Sequence, residues 1–569
     1  MSFLRNLFTN ILSIVVLGLI FIIVIIVIAV ANDDTPEKTE HSVLQIVLNG
    51  KLNDKPNSSE YSIASSAQCG KSFIAINKAI NAATHDENIE AILIEVGEVS
   101  GGIANLSSLK RNLKTFQKAD KKIFVYSDGM SQLGYYLSSV ADSIYIHPVS
   151  HLEWKGLGAQ LMYFKSMLSK IGVKAEPIRV GKFKSAIEPF ILDSMSPANE
   201  KQVKELLFDL WGGIVEEVSE ERNIKQSVLE NTANKYGYLL PKEAVDLGFV
   251  DAIKYEDEIW AVLRNSVHKD FHLITVNNYN KTNKEVSFEK DKIVVVYAEG
   301  GIIDGKAETD ISADQYTKLL DDVLRDKNVK AVVVRVNSPG GSAKASEKIW
   351  RKLTLINKKV PVIISMGNVA ASGGYYIATA GDTILAEKNT ITGSIGVFGL
   401  MFNAQELTKN IGINVERVQT NEMSDFPSFD RSLSSREKNR LKKGIEEVYS
   451  IFLKRVEDGR GLSHSEVENL AQGRVWSGNQ ALKLGLIDEI GGLTEAIDIA
   501  KNSANLEEYK LVELPKPVST IDKIIKTFSD QEISLPEPFA HYNYMINNPN
   551  FFKEFSEPQS RLPFILSIK

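Results

Sequence analysis

Asp326-Lys-Asn-Val-Lys-Ala331-Val-Val-Val-Arg-Val336-Asn-Ser-Pro-Gly-Gly341 is the stretch from which the fold can be read. Its β-branched run, Ala331–Val336, predicts a strand covered on both faces, and Asn337–Gly341 ends that strand in a tight turn. Such strands belong to parallel sheets sheathed by helices. The same pattern stands 240 residues earlier as Asp86-x-Asn88-Ile89-x-Ala91-Ile-Leu-Ile-x-Val96, followed by Gly101-Gly102. Further on, Gly134-Tyr135-Tyr136 answers Gly374-Tyr375-Tyr376, and Asp142 answers Asp382. Ala244–Asp251 and Ala481–Asp488 close the two copies at a spacing of 237, a drift that small loop changes produce.

Each copy opens with a short apolar strand, Val43–Leu48 or Ile293–Tyr297, and carries another at Ile123–Ser127 or Val362–Ser365. Helical stretches and glycine turns separate them. The alternation predicts an α/β protein of two tandem domains with largely parallel, buried strands. The expected domains are 43–264 and 291–508, joined by a polar connector, 265–290. Residues 509–569, with seven prolines, read as a partly extended closing arm. Residues 1–31 are expected to form a cytoplasmic tip and a membrane anchor, and 32–42 a polar linker.

The anchor rests on Ile11–Ala31, which is almost entirely apolar and carries no charge. Its 21 residues match the ~20 needed to cross the hydrocarbon core. Arg5 precedes it, while Asp33, Asp34 and Glu37 follow, so the positive-inside tendency puts the body on the extracytoplasmic side. Ala29-Val30-Ala31 also has the small-x-small form of a signal cleavage site, but the apolar run exceeds the ~7–15 residues of a signal peptide. The expectation is therefore a single-pass inner-membrane protein held in the bilayer by residues 11–31.

Of the 569 residues, 43% are hydrophobic and 24% charged, with a net charge of −6. That composition suits a globular body and offers no electrostatic footprint for nucleic acid. Cys69 is the only cysteine, so no intrachain disulfide can form. Cys69-Gly70-Lys71-Ser72 imitates the end of a phosphate loop, yet Ser65 occupies the position of its first glycine. No metal-ligand spacing occurs, and no cofactor or metal is expected.

The two copies differ where chemistry is plausible. The second carries Ser372 in Ala370-Ala371-Ser372-Gly373-Gly374, and the first has Gln132 at that place. The first carries Lys184 in Gly181-Lys-Phe-Lys184-Ser185-Ala186, and the second has Ser424 there. Each copy has kept one half of a nucleophile–base pair, which predicts one composite site. Ser372 follows a strand and precedes a Gly-Gly turn, and the N–H groups of Gly341 and Gly373 are candidates for an oxyanion hole. No histidine lies between His272 and His464. A distant histidine folding in would make a Ser-His-Asp triad, and Lys184 is the alternative base. Solvated lysine, with a pKa near ~10.4, needs a shift of ~3 units to act near neutrality. Burial supplies such a shift, and a neighbouring cation such as Lys182 would push the same way.

The combination of Gly181–Phe190, Asn337-Ser-Pro-Gly-Gly341, Ala370–Tyr376 and Thr392-Gly-Ser394-Ile-Gly396 closely resembles the signal peptide peptidase A (protease IV) family in its long, duplicated form. The resemblance covers nearly the whole chain. It implies a Clp-protease/crotonase-like fold and a serine endopeptidase with Ser372 as nucleophile and Lys184 as general base. It further implies that Ser394 hydrogen-bonds the lysine amine, that apolar peptides such as cleaved signal peptides are the substrates, and that four copies assemble as a homo-tetramer. Two other readings stay open on the sequence. One is a crotonase-type acyl-thioester enzyme, the other an inactive scaffold that binds peptides at the membrane.

Overall fold

The computed structural model describes residues 39–54, 72–283, 288–305, 310–516 and 559–561. The proposed anchor, 11–31, and Cys69 lie outside the described residues. Among the described residues no helix is long and apolar enough to cross a membrane.

Two parallel sheets form the bodies of the two halves. In the first, Ser42–Lys51 lies beside Ile89–Ser100, followed outward by Lys122–Ser127, Ser143–Ile146 and Ala252–Ile253. In the second, Lys292–Glu299 lies beside Val329–Ser338, then Val362–Ala371, which pairs with both Thr383–Ala386 and Ile391–Gly393. Side chains of Val332, Val333, Val334 and Val336 are fully or almost fully buried, as both-face coverage requires. Each contributes roughly 1.5–3 kcal/mol by leaving water.

The repeat is kept in its hydrogen bonds as well as its strands. Asp86 and Asp326 each accept the N–H of the asparagine two residues on, which turns the chain into the following strand. Asp142 accepts from Ile123 N and Asp382 from Val362 N. The buried hydroxyls of Tyr135 and Tyr375 donate to the carbonyls of Phe249 and Leu486, in the two closing motifs. Two 26-residue helices, Pro197–Arg222 and Ser435–Arg460, start on capping serines and end on left-handed Asn223 and Gly461.

Two boundaries read from the sequence need correction. The supposed connector 265–290 contains the strand His272–Thr275, which pairs with Ser42–Gln45, and the helix Val276–Thr282. Only Ile274 of that strand is buried, so no apolar run announces it. Likewise Lys510–Leu514, counted with the closing arm, is an edge strand of the second sheet beside Lys292–Val296.

A third sheet joins the halves. Lys174–Val180, from the first half, pairs antiparallel along its whole length with Val397–Asn403, from the second. Buried Arg335 of the second half also reaches across, with Nε 3.3 Å from Asp54 and Nη2 donating to Asn105 at 2.8 Å. Its Nη1 donates to Ser365 and to the Met366 carbonyl, so the buried guanidinium is well partnered. Arg111 makes a further crossing contact to Glu387 and Glu495. The halves are thus fixed by strand pairing and by buried charge.

Candidate active site

The strand exchange explains how Lys184 reaches a site built by the other half. Val180 pairs with Val397, and the chain then turns at Gly181, where φ is +107°. Phe183 N donates to the Gln472 carbonyl, so the turn is docked onto the second half. Gly473 provides the room. Its φ is +80°, and a Cβ there would stand 2.6–2.7 Å from Lys184 Cβ, Cα and N. A Cβ on Gly396 would come within 3.3 Å of Lys184 Cδ. The lysine stem therefore runs through a channel that two glycines leave open.

At its end, Lys184 Nζ lies 2.7 Å from Ser372 Oγ and 2.9 Å from both the carbonyl and the hydroxyl of Ser394. All three side chains are fully buried. Among the described residues Lys184 has no ion-pair partner, and burial alone pushes its amine well below the usual lysine range. Nζ donates to the carbonyl and the hydroxyl of Ser394, and its third contact is with the Ser372 hydroxyl. The expected push from Lys182 is not found: that side chain is exposed, with its Nζ over the Phe183 ring.

Ser372 itself is held at φ +56°, ψ −113°, a backbone conformation sparsely used outside glycine. Such strain costs about 1–3 kcal/mol and persists where surroundings impose it. Here Ser372 N donates to Gly393 O, and Ser372 O accepts from Tyr376 N, pinning both sides of the residue. Ser394 also has positive φ, +53°, and its N–H donates to Arg474 O. Among the described residues no histidine hydrogen-bonds Ser372, whose hydroxyl partners are Lys184 and Ser560.

The candidate oxyanion donors are brought together. A Cβ on Gly373 would lie 3.1 Å from Gly341 N and 2.7 Å from Ser346 Oγ. Gly340 takes φ +95°, which brings the turn back toward Gly373. A Cβ on Gly341 would lie 2.0 Å from the Ile302 carbonyl oxygen, so only glycine fits that approach.

Several contributors were not singled out from the sequence. Gly473 and Gly396 shape the lysine channel, and their role appears only in a packed structure. Gln202 holds the turn around Lys184 by donating to the Phe183 carbonyl and to Ser185 Oγ. Ser560, from the far C-terminal segment, places its hydroxyl 2.7 Å from Ser372 Oγ.

The model of peptidase family S49 matches residues 115–270 and again 354–507, and the Clp protease model matches 287–390. The chain belongs to peptidase family S49. Protease 4 of Haemophilus influenzae is 34% identical over 80% of this chain and 76% of its own length. Protease 4 of Salmonella typhi is 29% identical over 97% of this chain and 95% of its own. The chloroplastic serine protease SPPA of Arabidopsis thaliana is 31% identical over 87% and 74%. The two S49 matches fall one in each half, in keeping with the tandem duplication seen in the sheets. As an S49 member of the signal peptide peptidase A (protease IV) group, the chain is a serine protease, which sets aside the acyl-thioester reading of the same fold.

Proposed function

We propose that the protein is a membrane-anchored endopeptidase working through a Ser372–Lys184 dyad. The observation that carries this reading is the buried amine of Lys184, which has no ion-pair partner among the described residues and lies 2.7 Å from the Ser372 hydroxyl. Neutral Lys184 takes the proton as Ser372 Oγ attacks a peptide carbonyl. The oxyanion lies between the N–H groups of Gly341 and Gly373, which act on charge that develops only in the transition state. Lys184 returns the proton to the departing amine, and a water activated by the same amine hydrolyses the acyl-enzyme. Ser394 keeps Nζ aimed at Ser372.

Residues 11–31 anchor the body to the inner membrane, with the catalytic part on the extracytoplasmic side. That location suits apolar peptides such as cleaved signal peptides, the class that the family resemblance implies. A phosphonylating probe should label Ser372, and hydrolysis of an apolar peptide ester should vanish in a folded Lys184→Ala protein. Retained ester hydrolysis in that variant would sink the dyad.

Assembly into a homo-tetramer is supported by the repeat itself. The crossing pair joins 174–180 to 397–403, and 240 residues away on each side stand 414–420 and 157–163. Neither forms a strand here, and Val415 and Val418 are exposed. Pairing 414–420 of one copy with 157–163 of the next repeats the internal contact head to tail, the kind of heterologous interface that closes into rings. Val418→Asp should shift the mass measured by light scattering toward the monomer, and an unchanged mass counts against this interface.

A further inference from the structure

The strand that delivers Ser372, Val362–Ala371, leaves its regular ladder just before the serine. Val336 lies opposite Met366 and Ser338 opposite Ala370, so Asn337 alone faces Gly367, Asn368 and Val369. Bulges of this kind occur next to active sites, where they re-aim the side chains that follow.

Side chains take over from the ladder through the bulge. Arg335 Nη1 donates to the Met366 carbonyl at 2.7 Å, Thr390 Oγ1 donates to the Gly367 carbonyl at 2.8 Å, and Val369 N donates to Asn337 Oδ1 at 3.2 Å. These bonds are internal to the second half. The bond at the tip is not: Asn368 Oδ1 accepts from Asn105 N of the first half at 3.0 Å.

Asn105 stands in the first turn of the helix Ile103–Lys118, whose N-cap, Gly102, has no side chain to offer. The opening N–H groups of a helix lack partners within it, and an asparagine oxygen is among their best acceptors. Asn368 therefore caps this helix from the other half of the chain. The fit is close. A Cβ on Gly102 would stand 1.9–2.3 Å from Asn368 Cγ, Oδ1 and Cβ, although the φ of −93° there suits any residue. Asn105 is itself buried, and its side chain accepts from Arg335 Nη2 and donates to Asp54. Val369 and Ala371, on either side of Ala370, pack against the core of the first half.

We infer that Asn368 is a positioning residue for Ser372: through its side-chain oxygen, the helix N-terminus of the first half sets how the strand presents the nucleophile. The inference rests on the dyad reading given above. Three residues separate Asn368 from Ser372, whose φ of +56° persists only while its surroundings impose it. The bulge is the upstream anchor of that conformation. Released from Asn105, it relaxes, and Ser372 Oγ drifts from Lys184 Nζ. Asn368 acts through the strand and not on the substrate, so turnover is at stake and substrate affinity is not.

Steady-state hydrolysis of an apolar peptide ester by the full chain in detergent, expressed per folded protein by circular dichroism, tests this. Asn368→Ala should lower kcat and the rate of Ser372 phosphonylation by about tenfold or more, with KM within about twofold of wild type. Asn368→Asp keeps an acceptor whose charge suits a helix N-terminus, and should hold kcat within about threefold of wild type. Gly102→Ala, in the other half, presses on the same side chain and should reproduce the loss in kcat. A lower melting temperature with unchanged kcat in Asn368→Ala would make the contact structural only and overturn the positioning role. An Asp variant as slow as the alanine one, a change confined to KM, or a folded Gly102→Ala with wild-type kcat would do the same. Should Gly102→Ala fail to fold, the two Asn368 variants decide. Wild-type protein that is neither labelled nor active overturns the dyad reading itself, whereas active wild type with an indifferent Asn368 overturns the positioning role alone.

Discussion

At one point of the repeat the first half carries Gln132 and the second carries Ser372, and the backbones differ as much as the side chains. Ser131, just before Gln132, is an ordinary extended N-cap that accepts from Gly134 N. Gln132 is fully engaged: its carbonyl accepts from Lys155 N and Gly156 N, and its amide donates to Gly156 O. Ser372 is strained and faces an amine. The glycine turns have diverged in the same sense. At Gly102 a Cβ would collide with the side chain of Asn368, which belongs to the other half and accepts from Asn105 N. Where the second half keeps space for a peptide, the first has used that space to dock its partner. After duplication the turn that holds Ser372 stayed open in one half, and the equivalent turn in the other became a packing surface.

The largest effect should come from removing the imported base. Lys184→Ala is expected to lower turnover by about 10²–10⁴-fold. Adding Ser424→Lys, at the equivalent repeat position, should restore none of it, because Ser424 is exposed. Recovery of activity in the double variant would break the asymmetry between the halves. Next, Gly473→Ala should cost about 10²-fold in kcat, since a Cβ meets the Lys184 backbone and moves Nζ. A kcat within twofold of wild type would show that the channel has slack.

Ser394→Ala is expected to lower kcat by about tenfold with little change in KM, by freeing Nζ to rotate. A pure KM effect would count against its positioning role. The pH dependence sharpens the same point. Burial lowers the folded-state pKa of Lys184, so the unfolded chain binds more protons between the lowered value and the ordinary one. Stability should therefore rise with pH in that window, by about 1.4 kcal/mol per pH unit from this group. Activity should rise with pH through the lowered pKa as the amine becomes neutral. Urea titrations of Lys184→Met, lacking that slope, provide the comparison; equal slopes would place the charged amine in the fold. The smallest effect is expected from Gln132→Ser, which should create no second labelling site for a phosphonylating probe, because among the described residues no lysine amine hydrogen-bonds Gln132, whose partners are the backbone of Lys155 and Gly156. A second labelled serine there would overturn that account.

Much of the fold could be read from periodicity alone. The runs Ala331–Val334 and Ala91–Ile94 are buried on both faces, so their burial is written in consecutive apolar residues. His272–Thr275 was missed because an edge strand buries a single side chain. Ser372 and Lys184 were legible because each stands where its repeat partner is something else. Gly473 was not, since one glycine among 37 carries no mark of what packs against it.

By itself the sequence determined the duplicated α/β plan and that Ser372 and Lys184 each stand in only one of the two copies, because strand burial and residue identity are local properties. Only the tertiary structure decided that these two residues meet. Nothing in Lys174–Val180 specifies that its partner strand lies in the other half; that follows from which sheet edge is left unpaired after both halves fold. Nor does the sequence set the state of the Lys184 amine, which depends on the removal of water from all sides by residues far apart in the chain.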